Sequence, residues 1–245
     1  MSTIVKLENV TKKFGGLTAV NDFSGAIEEG SIVGLIGPNG AGKTTLFNMI
    51  ANYYHPTSGH IYFKGEDITS AKTEDMAKLG LARTFQVTKP FGDMTVLQNI
   101  MVGGFLHTND AKQVETQARI VAELVNMTCD LDMIASNTTT VDKKKLEIAR
   151  ALAVKPQLIL LDEVMAGCNP QEKLELVETC RKVRASGVTI IIIEHDIKTI
   201  MSLCDKIFIL HRGEKLVEGT PDEVANDKRA ISAYLGEDFD NAESE

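Results

Sequence analysis

Gly37-Pro38-Asn39-Gly40-Ala41-Gly42-Lys43-Thr44-Thr45 stands between an apolar, β-branched run at residues 31–36 (SIVGLI) and an apolar helical face at residues 46–50. The glycines let the backbone curl with its N–H groups turned inward, and a helix opening at Lys43 adds partial positive charge at its first turn. An anion placed there meets many donors at once. Lys43 is within reach of the β- and γ-phosphates of a nucleotide, and the Thr44 hydroxyl is placed to ligate Mg²⁺. The stretch matches the pattern G-x-x-x-x-G-K-[ST], and its strand-to-helix context is the one in which that pattern cradles phosphate.

The rest of the chain fits around such a site. At 245 residues it can bury one substantial α/β core, with room for a smaller lobe. The formal charge of −8, with Lys and Arg dispersed, does not favour a nucleic-acid surface. Cys129, Cys168, Cys180 and Cys204 lie far apart without C-x-x-C spacing, which argues for reduced thiols and against a zinc site. Residues 1–10 (MSTIVKLENV) carry no basic and apolar leader pattern, and the longest apolar runs fall far short of the ~20 residues that span a bilayer. A cytoplasmic protein whose membrane contact comes only through a partner is expected.

Alternation at residues 4–10 and 17–27 predicts half-buried antiparallel strands, joined by a further strand at residues 60–63 after the turn at 56–59. A short helix is expected at residues 73–79 and a strand at 81–86 (LARTFQ). Val114, Ala118, Val121, Leu124 and Val125 recur at helical spacing and predict an amphipathic helix over residues 110–127, inside a helical lobe starting at Pro90. A helix at 141–153 follows. Wholly apolar strands are then expected at 157–162 (QLILLD) and 188–194 (VTIIIIE), alternating with helices at 171–186 and 197–204, and a closing hairpin at 206–218. The fold class is α/β: a doubly wound, mainly parallel core sheet with an antiparallel β-layer and a helical lobe. The acidic stretch at residues 237–245 reads as a mobile tail.

Ligands of open α/β sheets gather at the carboxyl ends of the strands, and there the strand at 157–162 ends in Asp162-Glu163. Asp162 is suited to hold Mg²⁺ opposite Thr44, and Glu163 to polarise the water that attacks a γ-phosphate. His195 follows the second buried strand and is expected at the same sheet edge as Glu163, where it can contact a γ-phosphate. Gln86, before the helical lobe, has an amide able to touch both Mg²⁺ and the attacking water.

In this order the parts resemble the nucleotide-binding subunits of ABC transporters along nearly the whole chain. The resemblance implies ATP and Mg²⁺ as ligands, residues 37–45 as the Walker A element with Gly37, Pro38, Asn39, Gly40, Ala41, Gly42, Lys43, Thr44 and Thr45 around the phosphates, and Asp162 as the end of Walker B. It implies Glu163 as catalytic glutamate, His195 as switch histidine and Gln86 as the Q-loop residue, with Thr44, Gln86 and Asp162 at the metal. Phe14 stands where that family stacks an aromatic on adenine, with Val20 beside it; the plainer alternative for Phe14 is a core aromatic of the β-layer. A single cassette over residues 1–236 is implied, with a core at 1–89 and 154–236 and a helical subdomain at 90–153. Finer resemblance to the ATPases of branched-chain amino acid importers lies in Phe14-Gly15-Gly16, Arg83-Thr84-Phe85-Gln86-Val87, Leu146-Glu147-Ile148-Ala149-Arg150, Ala166-Gly167 and Asn169-Pro170. Importers of amides or urea share much of this wording.

The resemblance also implies partners: integral-membrane permeases, docking around Phe91, Met94 and Val96, and a second ABC ATPase in a homo- or heterodimer. In that dimer a Ser-Gly-Gly segment of one subunit completes the ATP site of the other. Here the position reads Thr138-Thr139-Thr140-Val141-Asp142: Thr139 keeps a hydroxyl, Val141 replaces a glycine, and Asp142 is expected to bring negative charge towards the phosphate. Lys143, Lys144 and Lys145 read either as an offset to that charge or as an exposed first turn. Val164 and Ala166-Gly167-Cys168-Asn169 depart from the family's usual Pro and Ser-Ala-Leu-Asp. Soluble ABC ATPases of DNA repair or translation need a heptad insertion or a second head, and a GTPase needs N-K-x-D; none is found in the sequence.

Overall fold

Strands and helices form where the periodicity of the sequence changes. The computed structural model describes residues 2–84 and 90–233. In chain order these form β1 (Thr3–Phe14), β2 (Leu17–Glu28), β3 (Ile32–Ile36), α1 (Lys43–Ile50), β4 (Ser58–Phe63) and β5 (Glu66–Asp67). Then come α2 (Met76–Leu79), β6 (Leu81–Arg83), α3 (Val96–Gly104), α4 (Ala111–Leu124) and α5 (Thr140–Leu152). The last elements are β7 (Leu158–Asp162), α6 (Pro170–Ala185), β8 (Thr189–Ile193), α7 (Ile197–Leu203), β9 (Lys206–His211), β10 (Glu214–Gly219) and α8 (Pro221–Asn226). The chain divides into two compact units, residues 1–73 with 191–245, and residues 74–190.

The first unit holds an antiparallel layer in the order β2-β1-β4-β5. The predicted alternation is present, but the β1–β2 register slips between Leu7 and Val10, where Asn9 has a positive φ of 50°. In the same unit β3 lies parallel to β9, with Val33 opposite Lys206 and Ile36 opposite Ile209, and β9 turns into β10 through Arg212-Gly213. Every residue of β3 is buried, as its unbroken apolar run requires of a strand covered on both faces.

In the second unit β6 and β7 pair in parallel, Leu81 opposite Leu158 and Arg83 opposite Leu160. The strand expected to reach residue 86 is paired through Arg83; residues 85–89 lie outside the described residues. Around it, α3 packs on α4 and α5, and α4 on α6. Helix α4 begins where expected, its N-cap Asp110 accepting from the N–H groups of Lys112 and Gln113, and it buries Val114, Ala118 and Ala122. Helix α6 opens on a capping box, Asn169 with Glu172, followed by Pro170 at the position where a missing N–H costs nothing.

Candidate functional site

The phosphate cradle is assembled wholly within the first unit. The chain leaves β3 at Gly37, whose φ of 152° a side chain rarely adopts and where a Cβ would collide with the carbonyl oxygen of Leu210. The loop closes with Ala41 N–H donating to Pro38 O at 3.1 Å, and α1 starts with Leu46 N–H donating to Gly42 O at 2.9 Å. Gly42 is left-handed (φ 99°), and a Cβ there would strike the Ala19 carbonyl oxygen. No side chain caps α1 and no acidic residue occupies its first turn, so backbone donors and the positive end of the helix face the loop.

Lys43 is buried to 6% exposure, and its ammonium donates to Gly37 O at 2.6 Å and Pro38 O at 2.9 Å. It braces the loop with the same group that the sequence assigns to phosphate. Thr44 is exposed, and Thr45 is half-buried. A buttress that the sequence did not announce comes from the β9–β10 turn: Gly213 N–H donates to Ala41 O at 3.0 Å, and Gly213 O accepts from Asn21 N–H at 2.8 Å. A glycine in a hairpin turn is its only sequence signal.

Phe14, at the end of β1, is 42% exposed and meets Tyr54 edge to face at a centroid distance of 5.3 Å. It is therefore no core side chain. The Lys12 ammonium sits 5.2 Å from the Phe14 centroid and donates to His55 O at 2.7 Å. Val20 is fully buried, with Cγ2 close to where a Gly42 Cβ would lie; it underpins the loop and presents no free face. His195 is exposed just after β8, ahead of Asp196, which caps α7 by accepting from Thr199 N–H at 3.3 Å.

The acidic pair lies in the second unit. Asp162 closes β7 and is buried, with Arg83 Nη2 3.7 Å from its Oδ2 and its N–H donating to Thr84 Oγ1 at 3.2 Å. Glu163 is half-buried and left-handed at φ 49°, a conformation that costs a side-chain-bearing residue free energy and is concentrated at functional positions. The turn after it is closed by Ala166 N–H donating to Glu163 O at 3.1 Å. Arg83 was missed as a site residue, although a charge in an otherwise apolar strand is a legible signal. Gln86 lies outside the described residues.

The start of α5 differs from expectation. Thr139 is the N-cap: its Oγ1 accepts from Asp142 N–H at 3.1 Å and donates to Asp142 Oδ2 at 2.7 Å, while Thr128 Oγ1 donates to Asp142 Oδ1 at 3.2 Å. Asp142 is thus buried among partners of its own unit, where two threonine hydroxyls donate to its carboxylate. Nor are the lysines a shared exposed turn: Lys144 is buried, and Lys145 is wholly buried, donating to Asn126 O at 3.1 Å and Glu175 Oε2 at 2.8 Å. Of the expected permease contacts, Phe91 is exposed with Arg150 over its ring at 4.7 Å and Met94 is partly exposed, whereas Val96 is buried as the first residue of α3. Burial lowers the Arg150 pKa below its ordinary value.

Thr44 in the first unit carries an exposed hydroxyl and Asp162 in the second a buried carboxylate, each a hard oxygen donor of the kind that suits Mg²⁺ and not a soft metal. Among the described residues no cluster of three or more His, Cys, Asp or Glu could hold a metal by itself. None of the four cysteines is in a disulfide.

Residues 20–166 match the ABC transporter family, and residues 214–240 match the family described as branched-chain amino acid ATP-binding cassette transporter. The chain is 37% identical over 250 residues to the high-affinity branched-chain amino acid transport ATP-binding protein LivG of Salmonella typhimurium, covering 96% of this chain and 98% of the relative. Identity to BraF of Pseudomonas aeruginosa, of the same description, is also 37% at the same coverage. The ADP conformation of an ATP-binding cassette of an ABC transporter superposes with a TM-score of 0.87 at 28% identity, over 96% of this chain and 100% of that one. With a loop built to take phosphate and a family match over more than half its length, the chain belongs to the ABC transporter family as one of its nucleotide-binding ATPases.

Proposed function

We propose that this ATPase energises an importer of branched-chain amino acids. The observation that carries the reading is the near full-length identity to two branched-chain amino acid transport ATP-binding proteins, joined by the separate match at residues 214–240. In this reading the cradle at residues 37–45 holds the phosphates, Lys43 moves a donor from the loop carbonyls to the β- and γ-phosphates, and Phe14 stacks on adenine. Thr44 and Asp162, with Gln86, would hold Mg²⁺, which when bound would offset the negative charge of the phosphates. Glu163 accepts a proton from water as its oxygen bonds to the γ-phosphorus; the bond to the β-bridging oxygen breaks, and ADP and phosphate leave. His195 contacts the γ-phosphate.

A second ABC ATPase and two permeases complete the assembly in this reading, which places the chain at the inner face of the cell membrane. Among the described residues no helix is long and apolar enough to cross a membrane. The helical lobe at residues 90–153 receives the permease on Phe91 and Met94. The test of cargo is uptake in cells lacking this chain: uptake of labelled leucine, isoleucine and valine falls and returns with the wild-type gene. Loss of amide or urea uptake instead, with leucine unaffected, reassigns the cargo to that related class.

A further inference from the structure

Arg83 and Asp162 are placed together by strand register. In the parallel pair β6–β7 Arg83 stands opposite Leu160, and Thr84 extends the ladder, its N–H donating to Leu160 O at 2.9 Å. Alternate residues of a strand share a face, so Asp162 projects on the side of Leu160 and of Arg83. The guanidinium Nη2 lies 3.7 Å from Asp162 Oδ2, with the arginine side chain 16% and the aspartate 4% exposed. Arg83 Nε donates to Thr84 O at 3.3 Å, and Thr84 Oγ1 links Asp162 N–H to Leu160 O. An always-charged guanidinium in a mostly buried place needs compensating partners, and the Asp162 carboxylate is within reach of it. Yet the separation exceeds the ~2.7–2.9 Å of a tight two-pronged arginine–carboxylate contact, so the pairing is electrostatic more than directional.

We propose that Arg83 is a positioning residue acting as the resident counter-cation of Asp162: it holds the carboxylate at the end of β7 and yields it to the divalent cation that accompanies ATP. The inference rests on the reading of Asp162 as a metal ligand. It has a definite sign. A positive charge beside the ligand weakens attraction for a dication, so the wild-type residue sets metal affinity below what the oxygens alone would give.

The test is a Mg²⁺ titration of the full chain with a non-hydrolysable ATP analogue, reading nucleotide binding rather than turnover. Arg83→Gln lowers the half-saturating Mg²⁺ concentration about three- to tenfold, while affinity for the analogue without metal stays within about twofold. Arg83→Met, which keeps the apolar stem, gives the same shift and carries the test if the glutamine variant does not fold. Arg83→Lys, a point charge in place of the fork, stays near wild type. A folded neutral variant with unchanged Mg²⁺ dependence overturns the proposal, and so does one that needs more Mg²⁺. Asp162→Asn separates the two readings: if it leaves the metal requirement intact, the assignment of Asp162 as ligand fails and not that of Arg83 alone.

Discussion

Glu163 combines a strained backbone with the position expected to polarise water, and the two can be pulled apart. A left-handed conformation costs a residue with a Cβ on the order of 1 kcal/mol, which glycine escapes. Glu163→Gly is therefore expected to raise the unfolding temperature by about 2–4 °C while ATP turnover is lost. Glu163→Gln keeps the strain, gains no stability and also loses turnover, trapping ATP. Calorimetry and phosphate release on both variants check this; undiminished turnover in the glutamine variant removes Glu163 from the chemistry. Lys43 makes the complementary point. Its ammonium is held by the carbonyls of Gly37 and Pro38, so in the proposed role binding phosphate would be an exchange of partners, not the capture of a free charge.

The start of helix α5 shows what the sequence could and could not disclose. Thr139 as N-cap followed by Asp142 is legible as a capping pair, and the structure has it in both directions. Thr139→Ala removes the cap and a donor to a buried carboxylate, and is expected to cost about 1–2 kcal/mol, read as a lower midpoint in urea, whereas Thr139→Ser retains most of it. The lysines that follow were not legible. Whether a run of like charges is solvated depends on what packs over it, and only the fold brings Glu175 and the Asn126 carbonyl to Lys145. The buried strands β3, β7 and β8 were readable because an unbroken apolar run has few other homes. Helix α3 was blurred into a general helical lobe: its capping box, Thr95 with Gln98, is present in the sequence, but its short span ends in Gly103-Gly104, where helix propensity fails. Of the candidate site, the glycine-rich passage from β3 to α1 was legible, while the tie from Arg83 to Asp162 depended on the register of two strands far apart in sequence.

At the scale of the whole molecule, a family likeness that implies a dimer meets a subunit whose Thr139 hydroxyl is bound to its own Asp142. A hydroxyl so engaged is a poor donor to a phosphate held by another subunit, so two copies of this chain are expected to make a weak pair. Purified alone, the chain should turn over ATP at least about tenfold more slowly than when mixed with a sibling ATPase bearing an intact Ser-Gly-Gly segment, as loss of one preorganised donor costs roughly 10²-fold at other oxyanion sites. Brisk, cooperative turnover by the isolated chain would falsify this asymmetry.

The hydrogen bond from Gly213 to Ala41 reaches across most of the chain's length. Because proteins are made from the N-terminus, the loop near residue 40 leaves the ribosome long before the turn that braces it. Nucleotide cannot steady the nascent chain through a finished cradle until that late hairpin has emerged, and messages cut short before codon 213 should yield polypeptides that carry the signature lysine yet fail to retain ATP.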